Sequence, residues 1–311
     1  MNYPKVSIII LNWNGLEDTI VCLESLKKIT YPNYEVIVVD NGSVGNDARV
    51  LKERFADYIY LIQNDKNYGF AGGNNVGMKY ALANSQPDYI LLLNNDTVVD
   101  SMFLTEMVKV AEADPSIGIT GAKIYFYAEP ARLQSVWGKV NLWTGEPVQT
   151  PRVIADRLQR KETDKGQYDS PRVADRVSGC CFLVKRSVVD NIGLLDEGYF
   201  CYWEETDYCF RARKAGYKTV YVPQAKIWHK LGRSVNKTSG LSRYYMARNR
   251  FRFMKKHANS WQYRCFLVYF FGFYFWLAAG YYLILCRSLD LLTNFYRGVR
   301  DGLHGVAGAK T

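Results

Sequence analysis

From residue 6 onward, short apolar runs alternate with segments of helical spacing. Val6-Ser7-Ile8-Ile9-Ile10-Leu11 is a continuous, largely β-branched run, as expected of a strand buried on both faces. After the turn Asn12-Trp13-Asn14-Gly15, positions 20, 23, 26 and 27 give Leu16 to Ile29 the spacing of a helix. Glu35 to Val39 predicts a second strand, Asp47 to Phe55 a second helix, and Tyr58 to Ile62 a weaker strand. Gly72 to Asn84 reads as a helix, and Tyr89 to Leu93 as the most apolar strand of all. Strands separated by helices predict βαβ units, and so an α/β fold on a mainly parallel sheet.

Residues 140–176 are polar, carry Pro147, Pro151 and Pro171, and show little periodicity. They predict a long mobile lid or acceptor segment within a domain spanning 1–240, not a domain boundary. Regular patterning resumes from Val177 to Val184. Beyond it, Arg243 to Lys256 is basic with aromatics between the charges. Residues 265–286 carry no charge and ten aromatics, bracketed by Arg264 and Arg287. At 1.5 Å per residue such a run covers about 33 Å, enough for a hydrocarbon core of about 30 Å. Basic residues on both flanks select no orientation, so spanning, re-entrant and interfacial placements all fit. Residues 241–311 are therefore expected to form a helical membrane-associating region, its basic residues set against anionic lipid.

Charge sharpens that division. The 311 residues carry a net charge of +10, yet residues 1–240 hold 29 Lys/Arg against 28 Asp/Glu, whereas 241–311 hold 11 against 2. A neutral body with a basic tail argues against a nucleic-acid surface spread over the fold. Seven cysteines with no C-x-x-C pair argue against a disulfide framework and a structural zinc site, and fit a reducing compartment. The first apolar run, six residues long, is too short for a signal-peptide core, so the body is expected in the cytoplasm.

Three apolar runs end in polar clusters: Asn12-Trp13-Asn14, Asp40-Asn41-Gly42-Ser43 and Asn94-Asn95-Asp96-Thr97. In open α/β sheets ligands bind beyond the carboxyl ends of the strands. Asp40 suits a base or ribose. The loop from Asn67 to Gly77 opens a helix with glycines, offering N–H groups to a diphosphate, although its spacing is neither G-x-G-x-x-G nor a Walker loop. Asp96, after an apolar run, suits a divalent metal, and His229, after Ala225-Lys226-Ile227-Trp228, suits the same site or a purely structural role. Trp203-Glu204-Glu205-Thr206-Asp207 sets carboxylates among aromatics, as a general base requires, with helical pairing of Asp207 to Arg211 as the competing reading.

Together these segments resemble the family 2 glycosyltransferases of the GT-A fold, in particular the rhamnosyltransferase-like branch of bacterial surface polysaccharide synthesis. The resemblance rests on VSIIILNWNG (6–15), VVDNGS (38–43), NYGFAGGNNVG (67–77), LLNNDT (92–97), SGCCFL (178–183), GYFCYWEETDYCFRAR (198–213) and IWH (227–229), in order through the body. It implies a GT-A nucleotide-sugar fold, with Asn12, Asn14, Asp40, Asn67, Gly69, Asn74, Asn94, Asn95 and Asp96 along the donor pocket. It also implies Asp96 and His229 as ligands of Mg or Mn, and Glu205 as the base with Glu204 as its rival. Two positions depart from the pattern. Asn94 stands where the family's D-x-D has its first Asp, which implies weak metal binding until the diphosphate arrives. The base is Glu where many relatives have Asp.

The resemblance further implies inverting transfer, with L-rhamnose from dTDP-rhamnose as the first expectation for the donor. The acceptor would be a lipid-linked saccharide at the cytoplasmic face of the inner membrane. The competing expectations are another donor such as a UDP-sugar, and a non-catalytic membrane-docked nucleotide-sugar-binding protein. A processive synthase, which needs several spans, fits less well with one candidate segment.

Overall fold

The computed structural model describes residues 3–150, 162–230 and 240–310. Strands β1 (Val6–Asn12), β2 (Tyr34–Asp40), β3 (Ile59–Gln63) and β4 (Tyr89–Asn94) pair in parallel in the order β3-β2-β1-β4. The intervening helices are α1 (Leu16–Leu26), α2 (Asp47–Phe55) and α3 (Gly69–Asn84). Each strand and helix read from the pattern in this part of the chain is present, with ends shifted by three residues or fewer.

The sheet continues with a short β5 (Thr97–Val99), the long β6 (Ile117–Phe126) and β7 (Glu129–Ser135). Strands β8 (Gly138–Asn141) and β9 (Glu146–Gln149) form a separate hairpin. Then come β10 (Arg172–Ala174), β11 (Cys181–Lys185) and β12 (Lys218–His229). The full order is β10-β12-β6-β11-β4-β1-β2-β3, with β5 on β12 and β7 on β6. Strand β11 runs antiparallel to β4 and β6, whereas β12 runs parallel to β6.

Side chains alternate across the sheet. Val6, Ile8 and Ile10 of β1 pack with α1, α2 and α4 (Phe103–Ala113), while Ile9 meets the layer of α3, α5 (Arg186–Ile192) and α6 (Glu204–Lys214). The result is an α/β/α sandwich whose strands β1, β2 and β4 are buried on both faces, with β3 at the edge.

The described part of 140–176 is tied down. Hairpin β8–β9 is followed from residue 162 by a segment that bridges Arg132 through Thr163 and pairs β10 with β12. Lys123 of β6, fully buried, holds Asp164 at 2.9 Å and Asp169 at 2.5 Å. A buried ammonium needs such partners, so this anchor fixes what the pattern reads as a mobile lid. Residues 151–161 of that expectation lie outside the described residues. All seven cysteines are free.

The basic tail differs from the expectation of a lipid-facing cluster. Helix α7 (Gly240–His257) lies against the body, and four of its cations work inside the protein. Arg248 has no exposure and donates to the carbonyls of Gly198, Tyr199 and Gly308, and Arg250 donates to Thr144 O. Arg252 and Lys256 pair with Asp196 at 3.0 and 2.9 Å. Helices α8 (Ser260–Tyr269) and α9 (Phe275–Gly280), joined and followed by the π-helical turns Phe270–Tyr274 and Tyr281–Leu285, make one helix over Ser260–Leu285. Helix α10 (Leu289–Leu303) returns along α7.

These helices share a third core, in which Phe251, Phe266, Phe270 and Phe295 meet Tyr199, Trp203 and Phe210 of the body. Gly298 lets α10 reach α7, because a Cβ there would run into the Tyr244 backbone. Gly298→Val is accordingly expected to destabilise the fold by about 2 kcal/mol through overpacking, read as a lower thermal midpoint.

Candidate active site

Parallel register places the first polar clusters at one edge: Asn12 lies opposite Asp40, and Leu11 opposite Asn94. Asn12 is fully buried and spends its amide on Asp40 (2.8 Å), Asp47 (3.0 Å) and Ser43 (3.2 Å), while its oxygen accepts from Thr19. It joins the ends of β1 and β2 and so shapes the site from beneath. Asp40, almost wholly buried, also accepts from Ser43 Oγ at 2.5 Å. Asn14 is exposed at φ 52°, receives the Val44 N–H and gives its own N–H to Ser43 Oγ. Asn95 donates to Thr19 Oγ1, tying the Asn94–Thr97 corner to α1.

The glycine loop serves packing more than anion binding. The N–H of Gly69 goes to Asn67 Oδ1, and that of Ala71 to the Phe200 carbonyl, so two of the first N–H groups of α3 are already satisfied. A Cβ at Gly73 would strike Leu11 and Asn41, and one at Gly77 would strike Ile9 and Val39. The glycines let α3 lie close on β1 and β2. Asn74 is buried and bonds back to Phe70 O within the helix. Gly73 and Gly77 thus serve close helix–sheet packing, and the Asn74 amide donates within its own helix.

The sequence reading missed the organiser of this loop. Asn41 donates to Asn67 Oδ1 and Gly69 O and accepts from Asn64 and the Tyr68 N–H. Only its place directly after Asp40 hinted at it.

Asp96 and His229 do meet. Strand β12 shifts register between Val222 and Lys226, and its far end pairs with β5, setting His229 opposite Thr97. His229 Nε2 then lies 2.9 Å from Asp96 Oδ1 and 3.5 Å from Asn94 Nδ2. On the other ring nitrogen, Nδ1 lies 2.9 Å from Gln134 Nε2 and 3.0 Å from Gln134 Oε1. Nε2–H donates to Asp96 when the Gln134 amide donates to Nδ1; the opposite tautomer, with Nδ1–H donating to Gln134 Oε1, is the one that would free the Nε2 lone pair for a metal. A carboxylate and an imidazole side by side fit a hard or borderline divalent ion. Among the described residues no group of three or more His, Cys, Asp or Glu is gathered for a metal, in keeping with Asn94 at the first D-x-D position.

Glu204 and Glu205 open α6 from a strained approach, since Phe200, Tyr202 and Trp203 all have positive φ (64°, 66° and 77°). Helix α7 holds that loop. The Asn249 amide donates to the carbonyls of Tyr199, Cys201 and Tyr202, and Arg248 donates to Gly198 and Tyr199. Asp207, one turn on, pairs with Arg211 (2.8 Å), Lys256 (2.8 Å) and His257 (2.7 Å). Burial raises its pKa, but these donors outweigh burial and hold it below the usual carboxylate range. Asp207 is thus a structural anchor between α6 and α7.

The two glutamates differ in setting. Glu204 is buried, and its Oε2 has no hydrogen-bond partner among the described residues. Desolvation, reinforced by the neighbouring Glu205 charge, pushes its pKa well up. Glu205 is partly exposed and accepts from Arg176 Nη1 at 3.0 Å. It lies beside Gly179, where a Cβ would be 3.4 Å from its own Cβ. The next residue, Cys180, accepts the Asn94 N–H at 2.9 Å. The Ser178-Gly179-Cys180 stretch therefore connects the Asp96–His229 corner to Glu205.

This architecture is the GT-A class of nucleotide-sugar fold. The chain belongs to the family described as glycosyltransferase like family 2, whose model matches residues 4–252. It is 26% identical over 209 residues to the low-salt glycan biosynthesis hexosyltransferase Agl10 of Haloferax volcanii, covering 67% of this chain and 62% of that protein. It is 28% identical over 222 residues to an N-acetylglucosaminyl-diphospho-decaprenol L-rhamnosyltransferase of Mycobacterium tuberculosis, covering 67% and 70%. Its fold superposes with a TM-score of 0.58 on the mannosyltransferase PcManGT of Pyrobaculum calidifontis in complex with GDP-Man and Mn2+, at 15% identity, covering 97% of this chain and 88% of that one. The family model ends at residue 252, within α7.

Proposed function

We propose that the protein is an inverting glycosyltransferase that moves a sugar from a nucleotide-diphosphate donor to a hydroxyl of a lipid-linked saccharide, in cell-surface polysaccharide synthesis. The first choice of donor is dTDP-L-rhamnose. What supports this reading is the Asp96–His229 pair, brought together from 133 residues apart in sequence, with Glu205 beside Gly179 and the neighbouring Cys180 carbonyl accepting from Asn94. The likeness to a rhamnosyltransferase acting on a lipid-diphosphate saccharide supports the donor and the acceptor class.

In this reading the donor lies over the ends of β1, β2 and β4, with its nucleoside toward Asp40 and Asn14 and its diphosphate toward Asp96. Glu205 takes the proton from the acceptor hydroxyl as that oxygen attacks the anomeric carbon. Arg176 orients the Glu205 carboxylate for that task. Glu204, held toward its protonated form, adds no second negative charge beside it. Asp96 and His229 would hold Mg or Mn, which would neutralise charge on the departing nucleoside diphosphate. The C-terminal helices would keep the enzyme at the cytoplasmic face of the inner membrane, beside its acceptor.

The test is nucleoside-diphosphate release from a panel of nucleotide sugars, using protein in mild detergent and a lipid extract as acceptor source. Release from one donor, stopped by a chelator and restored by Mn or Mg, is the expected result. His229→Ala is expected to weaken metal activation by about 10- to 100-fold, and Gln134→Leu by about tenfold, because each loosens the same ligand. Release that is indifferent to chelator and to both variants would remove the metal from the reading. Donor binding without release under any acceptor condition would favour a nucleotide-sugar-binding protein.

A further inference from the structure

The helix over Ser260–Leu285 is 26 residues long and contains an 18-residue stretch of mean hydropathy 1.6, so its length and composition alone allow it to cross a bilayer. Its packing points elsewhere. Phe266, Phe270 and Tyr282 are buried against α7 and α10, through Phe251, Phe295 and Arg243. At 3.6 residues per turn, the step from Phe266 to Tyr282 would leave Tyr282 roughly 160° round from Phe266. The π-helical turn at Phe270–Tyr274, which lies between them, takes up extra residues and turns the later sequence back toward that face.

Polar groups of the β8–β9 hairpin and of α7 accompany the helix. Tyr269 Oη donates to Glu146 at 2.8 Å, the Arg250 guanidinium lies 4.2 Å from the Tyr274 ring, and Arg243 lies over Tyr282. A helix crossing the bilayer would either lose these contacts or draw charged groups into hydrocarbon, which is costly in both cases. The opposite face is bare and apolar. Val268, Phe273, Trp276, Leu277, Ile284 and Leu285 are each more than half exposed. Lys255, Arg264, Arg287 and Arg297 are exposed, Arg264 and Arg287 bracket the apolar run in sequence, and residues 241–311 contain only two acids.

We propose that this helix is an in-plane membrane wedge: it stays docked on the body and sinks its outer face into one leaflet of an anionic bilayer without crossing it. The inference builds on the membrane attachment in the functional reading and specifies its geometry. An exposed apolar face flanked by cations in a region of 11 Lys/Arg against 2 Asp/Glu matches an anionic lipid surface, whereas two copies packed through this face would bring two basic regions together.

The test uses the full chain with epitope tags at both ends. In inverted inner-membrane vesicles, added protease is expected to remove both tags, and in spheroplasts to spare both. Tags on opposite sides would overturn the wedge and leave membrane attachment and sugar transfer standing. Separately, the protein is expected to float with phosphatidylcholine vesicles containing phosphatidylglycerol and far less with phosphatidylcholine alone. The triple variant Phe273→Ser, Trp276→Ser, Leu277→Ser should lower that partitioning at least about tenfold with an unchanged melting midpoint, since all three side chains are exposed. Failure of the wild type to float, or a stable detergent-free dimer in its place, would overturn the wedge and the membrane attachment together. Donor turnover in detergent, measured in parallel, reports on the transfer reading independently of both.

Discussion

The Glu205→Gln protein is expected to lose transfer by a factor of about 10²–10⁴ while its donor affinity stays within about threefold of the wild type. Gln keeps the size of the side chain and an oxygen that can accept from Arg176, now 3.0 Å away. It removes only the capacity to take a proton. Single-turnover transfer and donor titration on the same preparation separate the two effects. Glu204→Gln supplies the contrast. Because burial and the Glu205 charge push Glu204 toward its protonated form, an amide there imitates its resting state, and a rate change below about tenfold is expected. A Glu204→Gln protein that is inactive, beside an active Glu205→Gln, would reverse the two assignments.

Arg248→Met is expected to cost roughly 3 kcal/mol of stability, seen as a fall in melting midpoint of about 5 °C. Arg248 has no exposure and donates to three backbone carbonyls, on Gly198, Tyr199 and Gly308. Met fills similar space but takes that donor from Gly308 O and leaves Gly198 O with only the Gly308 N–H and Tyr199 O with Asn249 and the Cys201 N–H. The effect should also reach the chemistry. Arg248 and Asn249 hold the loop whose positive-φ residues present Glu204 and Glu205, so transfer should fall in the folded protein at temperatures well below its midpoint. Stability lost with the transfer rate unchanged would detach α7 from the active site. Asn249→Ala offers a milder version of the same test.

Much of the architecture is legible in the linear pattern. Continuous β-branched runs such as Ile8-Ile9-Ile10 have nowhere to go but a strand covered on both faces, and alternation with helical spacing then dictates parallel βαβ units. The polar ends of β1, β2 and β4 could be assigned to one edge before any coordinates, because parallel strands carry their carboxyl ends to the same side. Local composition misled where it was read as chemistry. Glycines around Gly73 and Gly77 look like a phosphate cradle, yet the same lack of a Cβ is what lets α3 press onto Leu11, Ile9 and Val39. Cations between Arg243 and Lys256 look like a lipid-facing patch, yet burial beside carbonyls and carboxylates turns several of them into internal fasteners.

The sequence by itself determined the α/β class, the strand ends that form the site and the family resemblance, because hydrophobic periodicity and short polar motifs are properties of neighbouring residues. Only the tertiary structure decided which of those polar groups remain available. Asn12 and Asn74 are consumed by partners, His229 is brought to Asp96 by a register shift in β12, and Arg176 reaches Glu205 across 29 residues of sequence. It also decided that the apolar C-terminal helix keeps Phe266, Phe270 and Tyr282 against α7 and α10, with a π turn between them that no hydropathy count registers. Hydrogen bonds and close packing depend on distances between segments far apart in the chain, and those distances exist only once the sheet has assembled.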